Sequence, residues 1–310
     1  MNAKADKSEN ERLKTLQSLN VLDTPTEERF DRITKLASRL INVPTVLISL
    51  IDAERQWFKS RVGMNVDETE RDISFCAHAI QQDGTMVVNN ASLDARFQEN
   101  PLVTGEPNIR FYAGHPLVHP NGSKLGTLCI IDKRERTLTV EEHACLSDLA
   151  SIVELELLEG NASSIDDETN LSSKEGFLEL GGLALKFAQH KNIPATVLFL
   201  HLGGDLDPQS TPSAYKTAVR TVGHSFKMNL RSSDIVGRYS NLGFVALFTN
   251  MNEKSVRDIA QRIVENIEQL LSAAGLLKHI ELLVGIASSQ QEEDINELVL
   301  KAFAHLNSDT

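Results

Sequence analysis

Residues 235 to 248, IVGRYSNLGFVALF, read as two short apolar strands joined by a tight turn at Ser240-Asn241. Turns of this kind often present side chains to a bound ion or phosphate. Here Ser240, Asn241, Leu242, Gly243 and Phe244 bring no carboxylate, imidazole or thiol, so the turn offers neither an anionic metal ligand nor a general acid or base. Just upstream stand Arg231 and Asp234, three apart at a helix end, a spacing that usually gives a surface ion pair worth under about 1 kcal/mol. Cys76 and His78, in FCAHAI, have the chemistry of a metal or redox pair. Two donors cannot complete a zinc site and the remaining donor would be Asp72, so packing is the expected role. HLGGD, residues 201 to 205, lacks both the spacing and the lysine of a phosphate loop.

The elements that must position these groups are legible in the pattern. The chain has 310 residues, 41% apolar and 24% charged, a balance that supports two domains of ordinary size. Its formal net charge of -12 argues against a nucleic-acid backbone as partner. No apolar run reaches eighteen residues and MNAKADKSEN carries no signal core, so a cytoplasmic protein without membrane insertion is expected. Cys76, Cys129 and Cys145 are odd in number and lack CxxC spacing, which points to free thiols rather than a disulfide framework or a metal site. Ser8-Glu9-Asn10-Glu11 has capping-box spacing and predicts a helix start. EERFDRITKLASRLI predicts a helix and TVLISLID a strand, while RFYAGHPLV and SKLGTLCIID predict strands paired across His119 to Gly122.

From Thr139 to about Leu158, Leu146, Ala150, Val153 and Leu157 recur at heptad intervals. Such a seam either pairs two chains in a parallel homodimer or packs the helix on its own domain. EGNASSIDDE then has linker composition and sets the domains at 1–160 and 161–310. Beyond it the pattern predicts helices over 172 to 190, 213 to 230 and 253 to 272 and from Ile295. Strands are predicted at ATVLFLHL and IELLVGIA, together with the hairpin at 235 to 248.

NVLDTPTEERFDRITKLASRLINVPTVLISLID, RQWFKSRVGM, DISFCAHAI and IRFYAGHPLV followed by LGTLCIID resemble a GAF domain over roughly residues 9 to 158. The resemblance implies a six-stranded antiparallel sheet with helices on one face and a small-molecule pocket on the other. The ligand stays unnamed. Trp57, Phe75, Arg110, Phe111 and Tyr112, with Cys76 and His78, are the pocket candidates, Arg110 to pair an anion; the alternative for the aromatics is plain core. None of the cysteines has a context suited to covalent bilin attachment.

From Asp166 onward the chain resembles a GGDEF domain, the fold of bacterial diguanylate cyclases. DDETNLSSKEGF aligns with that family's opening pattern at Asp166, Thr169, Leu171 and Phe177, and Ser240 to Phe244 fall on its five signature positions. The implied fold class is α+β throughout: two α/β sandwich domains, the second with a mixed, mainly antiparallel sheet. An active cyclase needs hard oxygen ligands for Mg²⁺. Here the acidic fourth signature position is Gly243 and the third is Leu242. His201 and Gly203 replace the preceding Asp-x-Asp, with Asp205 and Asp207 nearby. No cyclase activity, no cofactor and no metal site are expected.

The resemblance makes Arg231 to Asp234 the family's RxxD site for cyclic di-GMP, with Arg238 assisting from the next strand. An arginine can fork onto guanine O6 and N7, and an aspartate can accept from N1 and N2. Three readings stay open: a regulatory receptor that senses ligands and informs a downstream protein, an interaction and dimerisation scaffold, and a residual cyclase.

Overall fold

In the computed structural model, which describes residues 3–159, 164–231, 233–290 and 293–306, the chain divides into two units, 1–160 and 161–310. Part of the linker, 160–163, lies outside the described residues.

The first unit runs α1 (Ala3–Ser18), α2 (Glu28–Ile41), β1 (Thr45–Ile51), β2 (Arg55–Val62), β3 (Glu68–Glu70), α3 (Phe75–Ala79), β4 (Met86–Val88), α4 (Pro101–Thr104), β5 (Phe111–Val118), β6 (Lys124–Asp132) and α5 (Val140–Glu159). Six strands form one antiparallel sheet in the order β3-β2-β1-β6-β5-β4. Because α1 already begins at Ala3, Ser8 stands inside the helix, and its capping-box spacing does not mark the start. Phe30, Ile33, Leu36, Ala37 and Ile41 form the buried stripe of α2, as their spacing requires. Asn42 ends that helix in a left-handed conformation.

The heptad seam is consumed within the unit. Leu146, Ala150 and Val153 are fully buried and Leu157 nearly so, with α5 packed against α2, β5 and β6. Arg32 Nη2 meets Glu156 Oε1 at 2.6 Å, a buried ion pair that fastens α5 to α2, and Arg29 donates to the Glu156 carbonyl. The residues that α5 leaves exposed include Val140, His143, Ala144, Asp148, Ser151, Leu155 and Leu158, none of them on the seam. The seam therefore does not offer itself to a second chain.

The second unit runs α6 (Lys174–His190), β7 (Ala195–Gly204), α7 (Pro212–Asn229), β8 (Ile235–Arg238), β9 (Gly243–Thr249), α8 (Glu253–Ala273), β10 (Ile280–Ser288) and α9 (Ile295–Ala304). Its strands order as β10-β7-β9-β8, and all three ladders are antiparallel. The mainly antiparallel sheet expected is the one observed, and parallel pairing among the described residues is confined to the bridge Ser172 to Gly237. Leu198, Leu200, Leu202, Phe244, Ala246 and Phe248 form one face, buried with Val219, Val222 and Phe226 of α7 and Ile263 and Ile267 of α8. α6 and α9 cover the other face, where Phe303 meets Phe199 edge-on at 5.2 Å.

Val153→Glu should lower the melting temperature of the protein markedly, since an unpaired charge in a fully buried position costs about 3 kcal/mol or more. Thermal denaturation alongside sedimentation checks this. A variant that melts like the wild type and loses only self-association would return the seam to an intermolecular role.

Candidate functional site

The turn at 240 to 243 is the best-supported feature of the second unit. Ser240 and Tyr239 N–H groups donate to the Gly243 carbonyl at 3.1 and 2.8 Å, and Leu202 N–H donates to the Leu242 carbonyl at 2.9 Å. Asn241 turns its carbonyl inward, where it accepts from Tyr215 Oη at 3.2 Å and from Arg238 Nη2 at 3.0 Å. Arg238 is the hub. Its Nη1 pairs with Asp166 Oδ2 at 3.0 Å and its Nη2 also donates to Tyr215 Oη. Asp166 Oδ1 accepts from the Thr169 N–H and hydroxyl at 2.9 and 2.7 Å. Segment 165–172 docks on the outer edge of β8, through Ser172 N–H to the Val236 carbonyl at 3.2 Å and Arg238 N–H to the Ser172 carbonyl at 2.8 Å.

This arrangement has no place for a carboxylate at the fourth turn position. His201 on β7 stands opposite Gly243 on β9 and Leu283 on β10. A Cβ at Gly243 would lie 2.6 Å from Ser240 Oγ and 2.9 Å from Phe199 Cζ, so a larger residue there obliges both side chains to shift. Burial pushes the His201 imidazole below its ordinary value, and its Nδ1 finds no hydrogen-bond partner among the described residues. Asp207 accepts from Ser210 Oγ at 2.7 Å and from the Gln209 and Ser210 N–H groups. These hydrogen bonds, that of the Ser210 side chain foremost, hold its carboxyl below the usual range. Its oxygens thus order the loop before α7. Asp205 is exposed just beyond β7. Among the described residues no three His, Cys, Asp or Glu side chains converge as a metal site.

Arg231 and Asp234 lie at the opposite end of β8. Arg231 follows the end of α7 and is exposed. Its N–H donates to Asp234 Oδ2 at 3.0 Å, and the Asp234 N–H returns to the Arg231 carbonyl at 2.9 Å; Ser232 lies outside the described residues. Four strand steps from Asp234 to Arg238 cover about 13 Å. Arg238 is therefore not an assistant to this pair: it is distant and its guanidinium is already occupied.

In the first unit the pocket candidates divide between the two faces of the sheet. Phe75 stacks on Phe97 at 4.0 Å and tilts against Tyr112 at 5.2 Å, His78 meets Phe97 edge-on at 5.0 Å, and Tyr112 Oη donates to Cys76 Sγ at 3.3 Å. The four candidates Phe75, Cys76, His78 and Tyr112 are thus linked, His78 through Phe97. Trp57 faces the α2 side, where the buried Lys59 ammonium lies 5.8 Å from its ring and 5.3 Å from that of Phe30. Phe111, next to Tyr112 along β5, points away from it by strand alternation. Arg110 donates to the Val103 and Ile109 carbonyls, both at 3.0 Å, so its guanidinium holds a loop rather than standing ready for an anion. Asp72 and His78 are exposed while Cys76 is buried. What sequence reasoning missed is Cys129, whose sulfur lies 3.6 Å from that of Cys76, and Tyr215 in the Arg238 network. Fifty-three residues separate the two cysteines, and no local spacing signals them.

Comparison with known proteins agrees with the two folds. Residues 25–157 match the GAF domain family, and residues 216–308 match the family described as diguanylate cyclase, GGDEF domain. The chain thus carries an N-terminal GAF domain followed by a GGDEF domain. The second match begins inside α7 and leaves α6 and β7 outside it. A cyclic di-GMP phosphodiesterase of Pseudomonas aeruginosa is 35% identical over 228 residues. That alignment covers 72% of this chain, which spans only 36% of that relative's length. Among solved structures, the GGDEF domain of FimX from Pseudomonas aeruginosa is 18% identical, with 46% of this chain and 91% of that chain covered, at a TM-score of 0.39. The GAF domain of a phosphoenolpyruvate-protein phosphotransferase from Acinetobacter is 17% identical, with 53% and 100% covered, at a TM-score of 0.37.

Arg238→Ala should destabilise the protein by about 1 to 3 kcal/mol, because it leaves the partly buried Asp166 carboxylate without its ion-pair partner and takes one of two donors from the Asn241 carbonyl. Chemical denaturation measures this. A loss below about 0.5 kcal/mol would reduce the network to an ordinary surface ion pair.

Proposed function

We propose that this chain is a regulatory module of cyclic di-GMP signalling, in which the GAF unit senses a small molecule and the GGDEF unit binds a nucleotide without making one. The observation that carries the loss of synthesis is the cross-strand pair of His201 and Gly243. Condensing two GTP molecules requires Mg²⁺ held by carboxylates at the end of β7 and in the turn. Here β7 offers an imidazole with depressed basicity, and the turn offers a glycine whose enlargement obliges Phe199 and Ser240 to shift. Asp205 is the carboxylate that a residual cyclase would have to recruit.

The binding half of the reading rests on Arg231 and Asp234. Arg231 is exposed and its backbone N–H orients the Asp234 carboxylate, so a guanine edge or phosphate oxygen that reaches both side chains meets one acceptor already in place. The kinship with a cyclic di-GMP phosphodiesterase supports a place in the metabolism of that nucleotide. The reading assigns the output to a downstream protein or domain that the module regulates. A scaffold reading draws on one observation: Asp234 Oδ2 already accepts the Arg231 N–H, a contact that needs no ligand to explain it.

Two measurements decide between them. With GTP and Mg²⁺ or Mn²⁺ the protein should form no cyclic di-GMP above a blank, and Gly243→Glu should not restore synthesis; turnover on the order of 1 per second would overturn the reading. In calorimetric titration cyclic di-GMP should bind with micromolar Kd or better, about -8 kcal/mol, and Arg231→Ala should weaken it roughly tenfold to a hundredfold. No binding at a hundredfold excess over that Kd favours the scaffold. Equal binding by the variant moves the nucleotide away from Arg231.

A further inference from the structure

The first unit buries two thiols against each other. Cys76 enters from α3 and Cys129 from β6, with their sulfurs 3.6 Å apart and both residues buried. Three strands build the floor beneath them. Register sets Ser49 of β1 opposite Thr127 of β6, and Cys129 opposite Gly114 of β5. Tyr112 folds back over Gly114, where a Cβ would lie 2.1 Å from the phenol oxygen, and so its hydroxyl reaches Cys76 Sγ at 3.3 Å. Ser49 Oγ and Thr127 Oγ1 are buried with no partner in ordinary hydrogen-bond geometry among the described residues. Buried hydroxyls without acceptors are costly, and a thiolate at Cys76 is an acceptor that all three hydroxyls can serve.

The electrostatics agree with the geometry. Burial pushes the Cys76 thiol up, but donation from Cys129, Thr127, Tyr112 and Ser49 outweighs it and holds the thiol below its ordinary range. Cys129 moves the other way, raised by burial and by the neighbouring Cys76 sulfur. The cluster therefore favours one thiolate facing one thiol, the arrangement from which a disulfide forms.

We propose that Cys76 and Cys129 are an oxidant-sensing modification site of the GAF unit, a thiol pair that hydrogen peroxide closes to a disulfide. The Cys76 thiolate attacks one peroxide oxygen and the O–O bond breaks. The departing hydroxide takes up the proton that Cys76 had released and becomes water. The Cys129 sulfur then attacks the sulfenic acid at Cys76: the S–O bond breaks, the S–S bond forms, and the second water leaves with the Cys129 proton. Two thiols lose two electrons and one peroxide gains them. A thiol reductant reverses the step.

Closing the sulfurs from 3.6 Å to about 2 Å requires an approach of about 1.5 Å, taken up by rotation of the two side chains and by any shift of α3 towards the sheet. Phe75, next to Cys76, is stacked on Phe97 and tilted against Tyr112, so the shift reaches the whole aromatic cluster. Tyr112 also loses its acceptor. The modification thus changes the packing on the face of the sheet where the GAF fold places its ligand pocket.

The test is peptide mapping of the folded full-length chain after hydrogen peroxide treatment and alkylation of the remaining thiols. A Cys76–Cys129 linked peptide should appear, vanish on reduction, and form equally in Cys145→Ala. In Cys129→Ser the link should be absent and Cys76 should stop as a sulfenic acid that dimedone traps. A linked peptide found only after denaturation, a link through Cys145, or unmodified thiols in folded wild type at peroxide sufficient to oxidise a free cysteine would each overturn the proposal.

Discussion

Successive residues of a strand must point to opposite faces of a sheet, and in both units the two faces pack against different elements. That constraint decides which side chains meet. In the first unit it sends Tyr112 towards α3 and Phe111 away from it, so residues adjacent in sequence belong to different environments. In the second it places Leu200 and Leu202 in the core beneath α7 and α8 and turns His201 to the other side.

The polar groups each sheet buries are handled differently. Around Arg238 the accounting is complete: a carboxylate, a phenol and a carbonyl share one guanidinium, and the turn keeps its shape because its inward carbonyl has two donors. Lys59 is comparably satisfied, its ammonium donating to Thr24 Oγ1 at 2.6 Å and the Pro25 carbonyl at 3.1 Å and pairing with Glu27. The floor around Cys76 differs, with two buried hydroxyls left over side by side, while His201 Nδ1 in the second unit is left over singly. Unsatisfied groups in an otherwise satisfied core are where function is most economically sought.

A signalling reading fits the way chemistry is distributed. The second unit keeps the antiparallel hairpin and its supporting network intact while holding no carboxylate at the tip or at its β7 partner. The turn thus keeps its shape through the Arg238 network rather than through a bound metal's ligands.

Much of the architecture was written in local pattern. The hairpin, the helix over 253 to 272 and the strand at 280 to 287 agree with α8 and β10 to within a residue, because amphipathic period and turn chemistry act over a few neighbours. The missing carboxylates at 240 to 244 were equally legible, since residue types alone exclude an anionic metal ligand there. Tertiary structure decided the rest. Heptad spacing at Leu146, Ala150, Val153 and Leu157 is the same whether a helix meets a partner chain or its own domain, and only the packed α2 and sheet show that it meets the latter. Arg238 looked like a helper of Arg231 by proximity in sequence, but an extended strand carries it to the far end, onto Asp166. Cys76 and Cys129 had no spacing to announce them. Their contact exists because β1, β6 and β5 align small side chains under α3, a relation fixed by register between distant segments and absent from any local stretch of chain.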